Sequence, residues 1–166
     1  MTRHALAALL VALAIQPTAF AHDIVRRASQ DFPIASSVAV PAGTDLVFVS
    51  GTLADAADPK APAGSIERMG DTATQAKSVL AKIEKELATA GMALQDVVKM
   101  NVFLVGDPGK GVAMDFEGLM QAYLAVYGPR ARDNRLPART TVQVVGLPVP
   151  GALVEIEVIA ARHAAH

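Results

Sequence analysis

The sequence predicts an α+β sandwich in which two helices pack on one face of a mixed sheet. Strand-like and helix-like segments alternate along the chain. Both helix-like segments are amphipathic, so each needs a surface to cover. Hydrophobic residues make up 52% of the 166 positions and charged residues 19%, the composition of a chain with a core to bury. That length suits one domain with a real core and is short for two ordinary ones.

The first 21 residues follow other rules. Arg3 and His4 precede the apolar run Ala5 to Ile15, Gln16 and Pro17 break it, and Ala19-Phe20-Ala21 has the small-x-small pattern of a processing site. Residues 1–21 are therefore expected to be a cleaved export signal, leaving residues 22–166 as a single mature domain with flexible ends. The apolar run is shorter than the ~20 residues a helix needs to span a bilayer, so no membrane attachment is expected after cleavage. The expected location is periplasmic or secreted. Cysteine is absent, so an oxidising compartment adds no disulfide and thiolate catalysis is excluded.

After a polar lead-in, "LVFVSG" (Leu46 to Gly51) is a β-branched and aromatic run that ends at a glycine, which predicts a strand. Thr52 to Ser65 is rich in Ala, Asp, Pro and Gly without helical period and reads as a surface loop. Asp71 is a plausible N-cap. Ala76, Val79, Leu80, Ile83, Leu87 and Ala90 then recur at steps of three and four, predicting an amphipathic helix stopped by Gly91. Val97 to Val105 reads as a second strand, bounded by Gly106 and Asp107. Phe116, Leu119, Met120, Tyr123, Leu124 and Tyr127 give a broad apolar face to a second helix, expected over Val112 to Tyr127 and ended by Gly128-Pro129. The last elements are strands at Arg139 to Val145 and Leu153 to about Ala160, joined by "GLPVPG" as an apparent hairpin.

Several function classes drop out. The formal net charge of −1 supplies no field for phosphates, and the local cluster Arg130, Arg132 and Arg135 is interrupted by Asp133 and lacks aromatic neighbours. It reads as a solvated loop, and nucleic acid is not an expected partner. "GDPGKGVAM" (Gly106 to Met114) lacks phosphate-loop spacing and has no Ser or Thr after Lys110, so it reads as a helix-entry turn. The four histidines, His4, His22, His163 and His166, all lie near the ends. They complete neither a Ser-His-Asp set nor a metal site, and no metal or cofactor is expected.

Alternation along the last two strands divides their side chains between two faces. Thr140, Val142 and Val144 share one side of the first, with Arg139, Thr141 and Gln143 on the other. In the second, Val154, Ile156 and Val158 oppose Leu153, Glu155, Glu157 and Ile159. The apolar sides are expected to meet the helices. That leaves Arg139, Glu155 and Glu157 together on the far side, in an interface that holds a polar pocket. Taken alone, Arg139 and Glu155 read more readily as an interface ion pair than as catalytic groups.

The segments "VSG", "VVKMNVFL", "DFEGLMQAYLAVYG" and above all "PARTTVQVVGLPVPGALVEIEVIA" resemble the RidA/YjgF family of reactive intermediate deaminases, over about Ile34 to Arg162. The resemblance implies a chorismate-mutase-like α+β fold and a homotrimer with ligand pockets between neighbouring subunits. It also implies hydrolysis of reactive 2-imino or enamine acids to 2-keto acids and ammonia, without metal or cofactor. Arg139 matches the family arginine that grips the substrate carboxylate, a task suited to a planar guanidinium. Glu155 matches the glutamate that handles water and protons. Gly51 matches a glycine whose backbone approaches the ligand, with Ser50 beside it; Asn101 and Phe103 are weaker pocket candidates. Glu157 has no family role. Three positions depart from the family pattern: Ser37 replaces a pocket tyrosine, Met120 an asparagine found in many members, and Thr141 a cysteine. These departures predict altered substrate preference before loss of activity. The alternative is a non-catalytic trimer that holds a small carboxylate or a protein partner in the same pocket.

Overall fold

The computed structural model describes residues 23–129 and 135–163. The expected export signal, His22, Arg130, Arg132 and His166 lie outside the described residues. Among those described, seven strands form one sheet: β1 (Val25–Ala28), β2 (Ala35–Ala39), β3 (Thr44–Leu53), β4 (Val97–Asp107), β5 (Ala113–Met114), β6 (Ala138–Val144) and β7 (Val154–His163). The helices are α1 (Ile66–Met69), α2 (Thr72–Thr89) and α3 (Phe116–Tyr127). None of the described helices is long and apolar enough to cross a membrane.

The spatial order is β1-β2-β6-β4-β7-β3, with β5 paired to β4. β7 runs antiparallel to both β3 and β4, so β3 and β4 are parallel, and β6 is parallel to β4. Two strand-helix-strand crossovers result, β3-α2-β4 and β4-α3-β6. They set α2 and α3 against one another over one face of the sheet.

The expected C-terminal hairpin is not present. β6 and β7 flank β4 on opposite sides and do not pair. The connection from Val144 to Val154 is longer than the two to five residues of a tight hairpin and crosses the end of β4. The second helix also starts later than expected. Val112 takes φ +60° and β5 intervenes, so α3 begins only where the Asp115 side chain accepts from Gly118 N at 3.0 Å. Asp71 caps α2 as expected, accepting from Thr74 N at 2.8 Å.

The core lies between the helices and the central strands. Ala76, Val79, Leu80, Ile83 and Leu87 of α2 meet Met100, Val102 and Leu104 of β4 and Val154, Ile156 and Val158 of β7. Each large side chain contributes about 1.5–3 kcal/mol by burial. A large polar side chain lies in this layer too: Gln75 is fully buried, donating to Gly70 O at 2.9 Å and Gly151 O at 3.0 Å while accepting from Leu153 N at 2.8 Å. A fully satisfied side chain of this kind pays its desolvation cost and ties the entrance of β7 to that of α2.

Asp96, also buried, accepts from Ala93 N at 2.9 Å and from Arg162 at 2.5 Å. Arg135, expected in a solvated loop, is exposed but stands 3.7 Å from the same carboxylate.

Tyr123 and Tyr127 stack in the core at 4.8 Å and donate to Pro33 O and Leu94 O, each at 2.9 Å. Burial pushes the Tyr123 phenol up to about 12, with Arg139 pulling the other way, and pushes Tyr127 up further. The folded chain therefore holds phenolic protons that an unfolded chain, with an ordinary value near 10, releases. Below that value this contribution is fully present; it is lost as pH rises from about 10 towards 12. Urea midpoints measured across this window should fall in the wild type and fall less steeply in Tyr123→Phe.

Candidate functional site

Strand register decides which side chains share a face. Met100 of β4 stands beside Arg139 of β6, and Val102 beside Thr141. Both β4 residues are buried under the helices, so Arg139 and Thr141 point to the helix side. On the other face, Asn101 stands beside Glu157 and Phe103 beside Glu155. The expectation that Arg139 and Glu155 share a face is therefore corrected. Val142 turns outward at 41% exposure and Arg139 turns in, because α3 offers the guanidinium an aromatic and thioether seat. Alternation defines two faces of a strand but does not say which of them a helix will cover when both are mixed.

That seat is specific. The Arg139 Cζ lies 4.2 Å from the Tyr123 ring centroid and 5.7 Å from that of Phe116, and Nη1 donates to Met120 Sδ at 3.3 Å. Phe116, Met120 and Tyr123 are spaced by four and three residues and form one stripe of α3. Stacking on an aromatic ring contributes about 1 kcal/mol and fixes the plane of the guanidinium. Among the described residues no carboxylate lies within ion-pairing distance of Arg139. Burial draws its pKa below the ordinary guanidinium value, and only the Tyr123 phenol opposes this. The result is a half-buried, oriented cation with no anion beside it among the described residues. The Thr141 hydroxyl on the same side is enclosed and has no hydrogen-bond partner among the described residues.

The acidic half of the site is built by an irregularity in β3. Val49 pairs with Val158 and Thr52 with Ile156, so Ser50 and Gly51 together oppose a single residue, Glu157. This bulge brings the β3 backbone against Glu155. A β-carbon on Gly51 would overlap Oε1 of Glu155 and come within 2.9 Å of its Cδ. Gly51 thus makes room for a neighbouring carboxylate. Asn101 Nδ2 donates to Glu157 Oε1 at 2.8 Å, which gives Glu157 a partner that the sequence did not reveal. Ser50, Lys99, Asn101 and Glu157 line a cleft of about 240 Å³ with Phe48 and Ile159.

The predicted residues therefore form two groups. Glu155, Gly51, Ser50 and Phe103 come together on the open face. Arg139 and Thr141 stand across the sheet from them. Ser37 is exposed on β2, beside Arg27 of β1. Sequence reasoning missed Phe116 as a contact of Arg139, since its place in the apolar stripe of α3 reads as core packing. Among the described residues no group of three or more His, Asp or Glu side chains is arranged to hold a metal.

Known proteins share this fold. The chain is 35% identical over 128 residues to the 3-aminoacrylate deaminase RutC of Acinetobacter baylyi, covering 77% of this chain and 88% of that protein. A RutC family protein of Pyrococcus horikoshii is 35% identical over 124 residues, covering 75% and 84%. Among solved structures, the YjgF gene product from E. coli superposes with a TM-score of 0.52 at 31% identity, over 70% of this chain and 80% of that one. E. coli TdcF with bound serine gives 0.52 at 31% identity, over 74% and 84%. Residues 32–162 match the family model described as endoribonuclease L-PSP, and the chain belongs to that family, the RidA/YjgF family.

Proposed function

We propose that this protein hydrolyses reactive 2-imino or enamine acids to 2-keto acids and ammonia. The observation that carries the proposal is Arg139, a fixed, half-buried guanidinium without a carboxylate partner among the described residues. Such a cation favours an anionic ligand, and its planar fork matches a substrate carboxylate through two parallel hydrogen bonds. The relative named 3-aminoacrylate deaminase supports the reaction class. Water adds to the imine carbon, Glu155 takes a proton from that water and returns one to the nitrogen, and the carbinolamine collapses to the keto acid and ammonia. An enamine reaches the same point after protonation to its imine.

One protomer cannot present both groups to one ligand, because the sheet separates Arg139 from Glu155. We propose that each pocket takes Arg139 from one copy and Glu155 from its neighbour, in a homotrimer. The open face carries apolar surface that needs a cover, with Phe48 at 70% exposure and Val142 at 41%. Light scattering should give three times the protomer mass, and a fully active monomer would refute the arrangement.

Complementation tests the shared pocket. Arg139→Ala and Glu155→Gln should each lower turnover, Glu155→Gln by roughly 10²–10⁴-fold as for loss of an acid-base group. When the two variants are unfolded together and refolded as a mixture, about a quarter of the pockets should regain both groups in a closed ring with shared sites. Activity that stays at the level of the separate variants would place the pocket elsewhere.

A non-catalytic carboxylate-binding role is the second reading. It is favoured by Ser37, Met120 and Thr141 and by a family structure that holds serine. Thermal stabilisation by small carboxylates without turnover would establish it, whereas turnover lost in Glu155→Gln would exclude it.

A further inference from the structure

The contact between Met120 and Arg139 links the proposed carboxylate grip to the oxidation state of one sulfur. A thioether is a weak hydrogen-bond acceptor. Here it receives Nη1 of a guanidinium at 3.3 Å, beside the ring that holds the guanidinium plane. Met69, Met92 and Met100 are buried at 4%, 6% and 0% exposure, whereas Met120 is partly exposed. Oxidants can therefore reach Met120 where those three are shielded.

We propose that Met120 is an oxidation site through which peroxide-type oxidants weaken carboxylate binding at Arg139. The step is a two-electron oxygen transfer: the thioether sulfur is oxidised to the sulfoxide and the peroxide is reduced to water, with no net proton taken from the protein. The new S=O oxygen is a strong acceptor placed beside Nη1. It holds an N–H that is otherwise free to be shared with an incoming carboxylate, and it adds bulk between Phe116 and Tyr123. Both effects act against the ligand. Reduction of the sulfoxide restores the weak acceptor and the free fork.

This inference rests on the proposed role of Arg139, and the test separates the two. Binding of 2-oxobutanoate is measured by calorimetry before and after hydrogen peroxide, with peptide mass spectrometry to follow oxygen uptake at Met120 and, for comparison, at the partly exposed Met114. The expected result is a rise in Kd of at least tenfold once Met120 is converted, reversed by a methionine sulfoxide reductase. Met120→Leu should show the same Kd with and without peroxide. Met120→Gln, which places an amide oxygen near Nη1, should bind weakly without oxidant. If unoxidised protein fails to bind, or binds equally well as Arg139→Ala, the carboxylate reading falls and the switch falls with it. If unoxidised protein binds and full conversion of Met120 leaves Kd unchanged, the switch alone is refuted. Resistance of Met120 under conditions that convert Met114 refutes it as well.

Discussion

Arg139→Ala is expected to lower kcat/KM for a 2-imino acid by about 10³-fold, roughly 4 kcal/mol, the loss of two charge-assisted hydrogen bonds to a carboxylate. The imine is generated in place by an amino-acid oxidase, and its disappearance is followed by trapping. Arg139→Lys keeps the charge but loses the planar fork and the ring stacking, so it should recover only part of the activity. Stability should change little. The substitution loses stacking on Tyr123 worth about 1 kcal/mol but also removes the desolvation cost of a half-buried cation. A variant within threefold of the wild type would show that the carboxylate is held by another group.

Gly51→Ala should be nearly as damaging to turnover, for a different reason. The backbone at Gly51 is outside the left-handed region, so alanine is not strained there. The added methyl would instead occupy the place of the Glu155 carboxyl, whose end is flexible enough to swing away. The expected result is a fall in kcat of about 10²-fold, the scale of a misplaced catalytic group, with a melting temperature close to wild type. A double-mutant cycle distinguishes this from general disruption. Added to Glu155→Gln, Gly51→Ala should have little further effect, since both act through one carboxyl. Full additivity would show that Gly51 acts on turnover independently of Glu155.

The elements with strong local patterns were legible in the sequence. The amphipathic segment between the Asp71 cap and the Gly91 stop and the run from Val97 to Val105 stand as α2 and β4 within a residue or two at their ends. Less was visible where local pattern was weak. β1 and β2, "VRRA" and "ASSVA", lack an apolar run and read as a polar lead-in. They are strands because pairing with each other and with β6 satisfies their backbone. Gln75 falls on the buried face of α2, where a polar residue argues against burial until the carbonyls of Gly70 and Gly151 are seen to be its partners.

By itself the sequence determined the chemistry available to this protein: no thiol, a guanidinium at Arg139, carboxylates at Glu155 and Glu157, and two amphipathic helices that need a sheet to cover. Those follow from residue type and from period, which are local properties. Only the tertiary structure decided how they are distributed. β4 separates β6 from β7, so side chains that alternation allows on one face lie on opposite faces. The stripe Phe116, Met120 and Tyr123 turns Arg139 towards the helices, and the bulge at Ser50 and Gly51 sets Glu155 on the open face. The physical reason is that strand order and register are set by packing between segments distant in the chain, and no local period encodes which neighbour a strand will meet.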